Sequence, residues 1–194
     1  VKQMDKLGLV LEGGGMRGLY TAGVLDFFLD HDIYADGVIG VSAGACHAAS
    51  YISHQRGRAF RTGTQYLKDK RYMSLQSLIK TGDLFGADFV YNQIPNKLDL
   101  FDYDAFHQSG IKMYAVVSNL ETGKAEYLPC INMHNDTINI RASASLPLLS
   151  KIVEINGKKY LDGGVCDSIP VKQFQNMGYK KNIIILNRAI DYRK

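Results

Sequence analysis

The chain has 194 residues, enough for one domain that removes roughly 70% of its unfolded surface from water and short for two. Hydrophobic residues make up 46% and charged residues 22%, a globular balance that excludes a disordered or collagen-like chain despite the 19 glycines. Lys and Arg total 23 against 19 Asp and Glu, and the net charge of +4 is too small to indicate nucleic acid, though it mildly favours an anionic surface.

Cys46, Cys130 and Cys166 show no metal-type CxxC spacing, and their odd number fits a reducing, cytoplasmic setting better than a disulfide framework. The first apolar run, Leu7–Leu11, is too short for a signal-peptide core. Positions 37–55 carry no Asp, Glu, Lys or Arg, yet they are mostly Gly, Ala and Ser, which indicates close internal packing rather than a membrane span.

In chain order, Leu7–Leu11 reads as a strand buried on both faces and bounded by Gly13-Gly14-Gly15. Leu19, Ala22, Leu25, Phe28 and Leu29 then recur at helical spacing. Gly37–Val41 is a second strand and Ala43–Ile52 a second helix. Such alternation predicts a three-layer α/β/α fold with a mostly parallel central sheet, because parallel neighbours need a crossover. Residues 56–110 mix basic and aromatic side chains, with Leu67, Leu75, Leu78 and Ile79 spaced for short helices that Gly82, Gly86 and Pro95 interrupt. Lys112–Asn119 and Lys124–Cys130 read as strands around Glu121-Thr-Gly123. Ile152–Ile155 and Lys158–Leu161 form a hairpin across Asn156-Gly157, a type I′ signal. A helix starts near Pro170, and Ile183–Leu186 is a last buried strand. No repeat and no linker divides the chain.

Gly40-Val41-Ser42-Ala43-Gly44 matches G-x-S-x-G at a strand-to-helix turn, where a serine hydroxyl stands exposed and the helix N-terminus behind it favours negative charge. The bland reading is an N-cap serine in a glycine-rich turn. Gly13, Gly15 and Gly18 also satisfy the dinucleotide fingerprint, so two functions compete at that loop. A dinucleotide site needs an acid closing the second strand; Asp36 precedes that strand, and Ser42 occupies its exit. A tri-glycine loop offering backbone N–H groups to a developing oxyanion fits better.

A serine needs a base. The five histidines stand at 31, 47, 54, 107 and 134, none after Asp162, and His47 lies about 140° round an ideal helix from Ser42. The other four sit in polar segments and read as surface histidines. Asp162 ends a hairpin strand before Gly163-Gly164 and could take the serine proton directly, its weakness offset by burial; an ordinary Asp-Gly turn is the plain alternative. Asp167 competes, but Asp167-Ser168-Ile169-Pro170 reads as a helix start capped by Asp or Ser.

Glu12-Gly-Gly-Gly-Met-Arg-Gly18, Gly40-Val-Ser-Ala-Gly44 and Asp162-Gly-Gly164 together resemble, in order, the three motif blocks of bacterial patatin-like phospholipases. Arg141-Ala-Ser-Ala-Ser-Leu-Pro147 resembles the segment before the aspartate block, so the likeness runs from about residue 7 to the end. The resemblance implies Ser42 as nucleophile, Asp162 as its base, Gly13, Gly14 and Gly15 as oxyanion hole, and Arg17 and Ala43 as supporting residues. Arg17 would fix the loop or attract anionic groups, against a plain surface ion pair. The implied activity is hydrolysis of lipid carboxylic esters without metal or organic cofactor. Residues 1–194 would form a single catalytic domain that stops short of further helices the family carries.

Basic-plus-aromatic residues 56–103, with Arg56, Arg58, Arg61, Lys68, Lys70, Arg71 and Lys80, suit peripheral contact with an anionic membrane, or simply a solvated helical face. Two rivals stay open: a nucleotide-binding protein using the glycine loop, and a non-catalytic lipid-binding module. Oligomeric state is not readable.

Overall fold

The computed structural model describes residues 5–189 and 191–192; the outer limits of the expected domain, 1–4 and 193–194, lie outside the described residues. Strand β1 (Leu7–Leu11) feeds helix α1 (Gly18–Asp30), and β2 (Gly37–Val41) feeds α2 (Ala43–Ile52). Next come α3 (Arg58–Thr64), α4 (Leu75–Thr81), a π-helical segment Phe89–Leu98 and α5 (Tyr103–Gln108). The remainder is β3 (Lys112–Asn119), β4 (Ala125–Pro129), α6 (Met133–Ser143), β5 (Val153–Ile155), β6 (Lys158–Asp162), α7 (Val171–Asn176) and β7 (Lys181–Ile185).

The sheet runs β5-β6-β3-β2-β1-β7, with β4 also paired to β3. Strands β7, β1, β2 and β3 are mutually parallel; β4 and β6 both run antiparallel to β3, and β5 to β6. It is thus a mixed sheet with a parallel centre. Residues alternate along β1: Leu9 and Leu11 join the core under α1 and α2, while Val10 packs with Ile39, Val41, Val116 and Phe174 of α7 on the opposite face. Those two cores make the three layers. At the hairpin turn Asn156 (φ 51°) and Gly157 (φ 78°) both have the positive φ that type I′ requires.

Several expectations need correction. Strand β7 lies at the sheet edge rather than buried, and Ile184 and Leu186 remain partly exposed. Pro95 sits inside the π-helical segment instead of ending an element, and Leu67 falls in a turn. Asp167 and Ser168 do not cap α7, whose first turn lacks a side-chain cap; the Asp167 carboxylate instead accepts from the Tyr127 hydroxyl at 2.7 Å. Helix α6 gives no sequence signal, because His134-Asn-Asp-Thr137 is polar and the buried Met133 and Ile140 are seven residues apart. Its start is set by Asn132, whose side chain accepts from the His134 N–H.

Candidate active site

The two glycine-bearing turns lie at the same end of the sheet, since β1 and β2 are adjacent parallel strands and both turns follow their C-terminal ends. Ser42 joins β2 to α2 at φ 55°, ψ −123°, a conformation that a non-glycine residue adopts only when its surroundings impose it. The surroundings are visible in the flanking glycines. A Cβ on Gly40 would lie 2.6 Å from the Ala45 nitrogen, and one on Gly44 would lie 2.7 Å from the Leu11 carbonyl oxygen. The turn is therefore pressed against its own helix and against β1. The Ser42 N–H donates to the Ser143 hydroxyl of α6 at 2.9 Å. As no N-cap bond leaves its side chain, the hydroxyl is not spent on the helix.

Strand register brings in the acid. Val41 pairs with Val116 on β3, and Val117, the next residue, pairs with Asp162 on β6. Ser42 and Asp162 thus stand level, two strand spacings apart, about 10 Å between backbones. Asp162 is 3% exposed. Its Oδ1 accepts from the Gly164 N–H at 2.7 Å, whereas its Oδ2, equally buried, has no formed hydrogen bond. Burial raises the Asp162 pKa; the neighbouring Ser42 hydroxyl and then the Gly164 N–H draw it part of the way back. A serine near enough to favour the carboxylate thus stands beside an acceptor lacking an aligned donor. Ser118 fixes the acid's backbone, donating to the Asp162 carbonyl at 2.8 Å, and a side chain on Gly163 would collide with the Val116 carbonyl.

Gly13, Gly14 and Gly15 wrap the same position. A Cβ on Gly13 would lie 3.4 Å from that of Ser42, and Gly15 has φ +54°. Among the described residues, the N–H groups of Gly13, Gly14 and Gly15 donate to no protein acceptor. Ala43 begins α2, where its N–H has no intrahelical partner. Arg17 is exposed and forms no ion pair among the described residues, so its side chain does not brace the loop.

Sequence reasoning missed the bracing on the other side: the buried Glu12 accepts the Asn187 N–H at 2.7 Å, and the Asn187 side chain fills the space a Cβ on Gly14 would need. Nor does the serine-rich stretch 141–147 mark out Ser143 by any local signal. Asp36, the acid a dinucleotide site would need, accepts the Leu7 N–H at 2.7 Å, at the start of β1 and the far end of the strands from the glycine loop. It cannot reach a ligand there.

Ser42 opens onto a cavity of about 250 Å³, whose wall includes Met16, Leu19, Phe85, Val90 and Ile94. Asp162 is not part of that wall. His47 also lines the cavity, buried against Gly18; burial lowers its pKa to about 4, so it is neutral at pH 7. His31, His54, His107 and His134 are exposed, as their polar segments suggested.

The chain belongs to the patatin-like phospholipase family, whose model matches residues 9–174. Among its relatives, the uncharacterised protein YjjU of Escherichia coli is 32% identical over 198 residues, covering 94% of this chain and 52% of that protein. The lysophospholipase NTE1 of Candida albicans is 27% identical over 199 residues, covering 97% of this chain and 14% of its own length. This chain therefore spans about half of the first and a small part of the second. Among solved structures, VipD of Legionella pneumophila aligns with 86% of this chain and 47% of its own, with a TM-score of 0.49 and 15% identity. No helix among the described residues is long and apolar enough to cross a membrane.

Proposed function

We propose that this chain hydrolyses lipid carboxylic esters through a Ser42–Asp162 dyad. The observation that carries the reading is the buried, half-satisfied carboxylate of Asp162 beside a serine held in a strained turn. Asp162 takes the proton as Ser42 Oγ bonds to the ester carbonyl carbon, and the carbonyl oxygen becomes an oxyanion. The free N–H groups of Gly13, Gly14, Gly15 and Ala43, with the N-terminus of α2, hold that charge. When the C–O bond breaks, the leaving alkoxide takes the proton from Asp162. Water then attacks the acyl-serine with Asp162 again as base, releasing the fatty acid and restoring the serine.

An apolar cavity of this size, at the small end of ligand pockets, suits one slender acyl chain. The lysophospholipase names of the fungal relatives point toward single-chain lipids. No second reading gains a specific observation. A single catalytic unit in peripheral contact with an anionic membrane, on the cytoplasmic side, completes the proposal.

The test is a fluorophosphonate probe together with hydrolysis of a soluble short-chain ester. Wild-type protein should label and turn over, Ser42→Ala should do neither, and Asp162→Asn should lose turnover while staying folded. Equal labelling of Ser42→Ala, or full activity of Asp162→Asn, would overturn the assignment.

A further inference from the structure

The arginines of the basic stretch expected to meet a membrane are engaged within the protein. Arg56 pairs with Asp30, Arg58 and Arg61 with Asp99, and Arg71 with Asp69. Three large apolar side chains nearby stand out in solvent: Leu148 is 96% exposed, and Ile79 and Leu75, within the same stretch, are 85% and 73% exposed. Leu75 and Ile79, four residues apart, share one face of α4. Leu148 sits in the turn after α6, and the two segments are stitched together. The Leu84 N–H donates to the Leu149 carbonyl at 2.7 Å, and the Lys151 N–H to the Asp83 carboxylate, also at 2.7 Å. A Cβ on Gly82 would touch the Lys151 side chain.

Leu148 has φ +67°, a strained backbone for a branched apolar residue, and its side chain packs on nothing that would offset the cost. Both segments border the cavity onto which Ser42 opens, through Asp83 and Phe85 on one side and Leu146 and Ser150 on the other. Lys80 and Lys151 flank the three apolar tips, exposed and without ion pairs among the described residues. The nearby acids do not cancel them. Asp83 is buried against the Lys151 N–H and Arg141, and Glu154 stands opposite Lys159 across the hairpin.

We infer that Leu75, Ile79 and Leu148, flanked by Lys80 and Lys151, form the surface by which this protein docks on an anionic lipid bilayer, setting the cavity mouth at the interface. The inference rests on the lipid-ester reading of the cavity and names where the lipid enters. Apolar tips enter the headgroup region while lysines meet anionic headgroups, an arrangement whose strength scales with buried apolar area and surface charge. Other exposed apolar residues, such as Ile131 and Leu100, lack this pairing of strain, lysines and a cavity mouth.

The experiment is vesicle flotation with Ser42→Ala protein, so that no lipid is consumed, using phosphatidylcholine vesicles with and without phosphatidylglycerol. Binding should require the anionic lipid and fall at least about tenfold in Leu75→Ser/Ile79→Ser/Leu148→Gly. Glycine relieves the strain at 148, so that variant should fold as well as its parent. In the Ser42-containing protein, the triple change should spare hydrolysis of a soluble short-chain ester and cut hydrolysis of vesicle-borne ester. Absence of flotation, or equal flotation of the triple variant, overturns the docking surface even if esterase activity stands. Self-association abolished by the same changes would make it an interface between copies, which also overturns it. Docking without turnover in the Ser42-containing protein would sink the catalytic reading alone.

Discussion

The main-chain N–H of Ser42 is held by the hydroxyl of Ser143, a residue 101 positions further along the chain, at 2.9 Å. Ser143 is fully buried on α6, so the strained turn at the end of β2 is anchored by a helix that packs on β3, β5 and β6. Removing the hydroxyl leaves a buried donor without a partner. Ser143→Ala should cost about 1–3 kcal/mol in denaturant unfolding. If the turn positions the nucleophile, kcat for ester hydrolysis should fall more than KM changes.

Asp162 should trade stability for function. Folding raises its pKa, so the folded chain holds that proton to higher pH than the unfolded chain does. Its ionisation therefore opposes folding increasingly as pH rises from the ordinary carboxylate range through the raised value, and the cost is complete above it. Asp162→Asn removes that charge. At pH 7 the variant should melt about 2–4 °C higher while losing turnover, a shift readable by calorimetry. A lower melting temperature would mean that the Asn amide is worse accommodated than the carboxylate.

The same shift shapes the activity profile. A base must be ionised, so kcat/KM should rise with pH through an Asp162 pKa above the usual aspartate value. A rising limb that persists in a soluble Asp162→Asn variant and disappears in His47→Gln would transfer the base role to His47.

His47 has the opposite sign in stability. Burial depresses its pKa from 6.5 to about 4, so the neutral ring contributes stability that is present above 6.5 and lost as pH falls toward 4. The loss amounts to about 3 kcal/mol at most. His47→Gln should flatten acid unfolding across that window, with ellipticity against pH as the measurement.

Two glycine substitutions separate tight packing from simple flexibility. Gly44→Ala would drive a methyl into the Leu11 carbonyl oxygen and Cβ, at 2.7 and 3.0 Å, and should destabilise by about 2–3 kcal/mol as β1 and α2 are pushed apart. Gly23→Ala, on an exposed face of α1 with nothing within 4 Å, should stabilise by about 0.5–1 kcal/mol.

The alternation of buried runs and glycine turns made the first two strand–helix units legible from the residues, to within a residue at each end. Asn156-Gly157 likewise declared its hairpin, because a type I′ turn needs two positive φ angles. Local chemistry sufficed there. Helix α6 was invisible, since its polar first turns carry no period and its buried residues face β3 only after the chain has returned across the sheet. The edge position of β7 and the antiparallel flank of β3 were equally hidden, being matters of strand order rather than of any one strand.

The sequence by itself determined which residues could do chemistry: a serine between glycines, an aspartate before glycines, and a loop rich in N–H groups. Only the tertiary structure decided that Ser42 and Asp162 stand level, because the register Val41↔Val116 and Val117↔Asp162 is a property of three strands from distant parts of the chain. It also decided that Asp36 lies at the wrong end of the sheet, that Ser143 and Asn187 brace the turns, and that the arginines of residues 56–71 are engaged in internal ion pairs. Period and propensity act over a few residues; burial, desolvation and partner choice depend on contacts made across the whole chain.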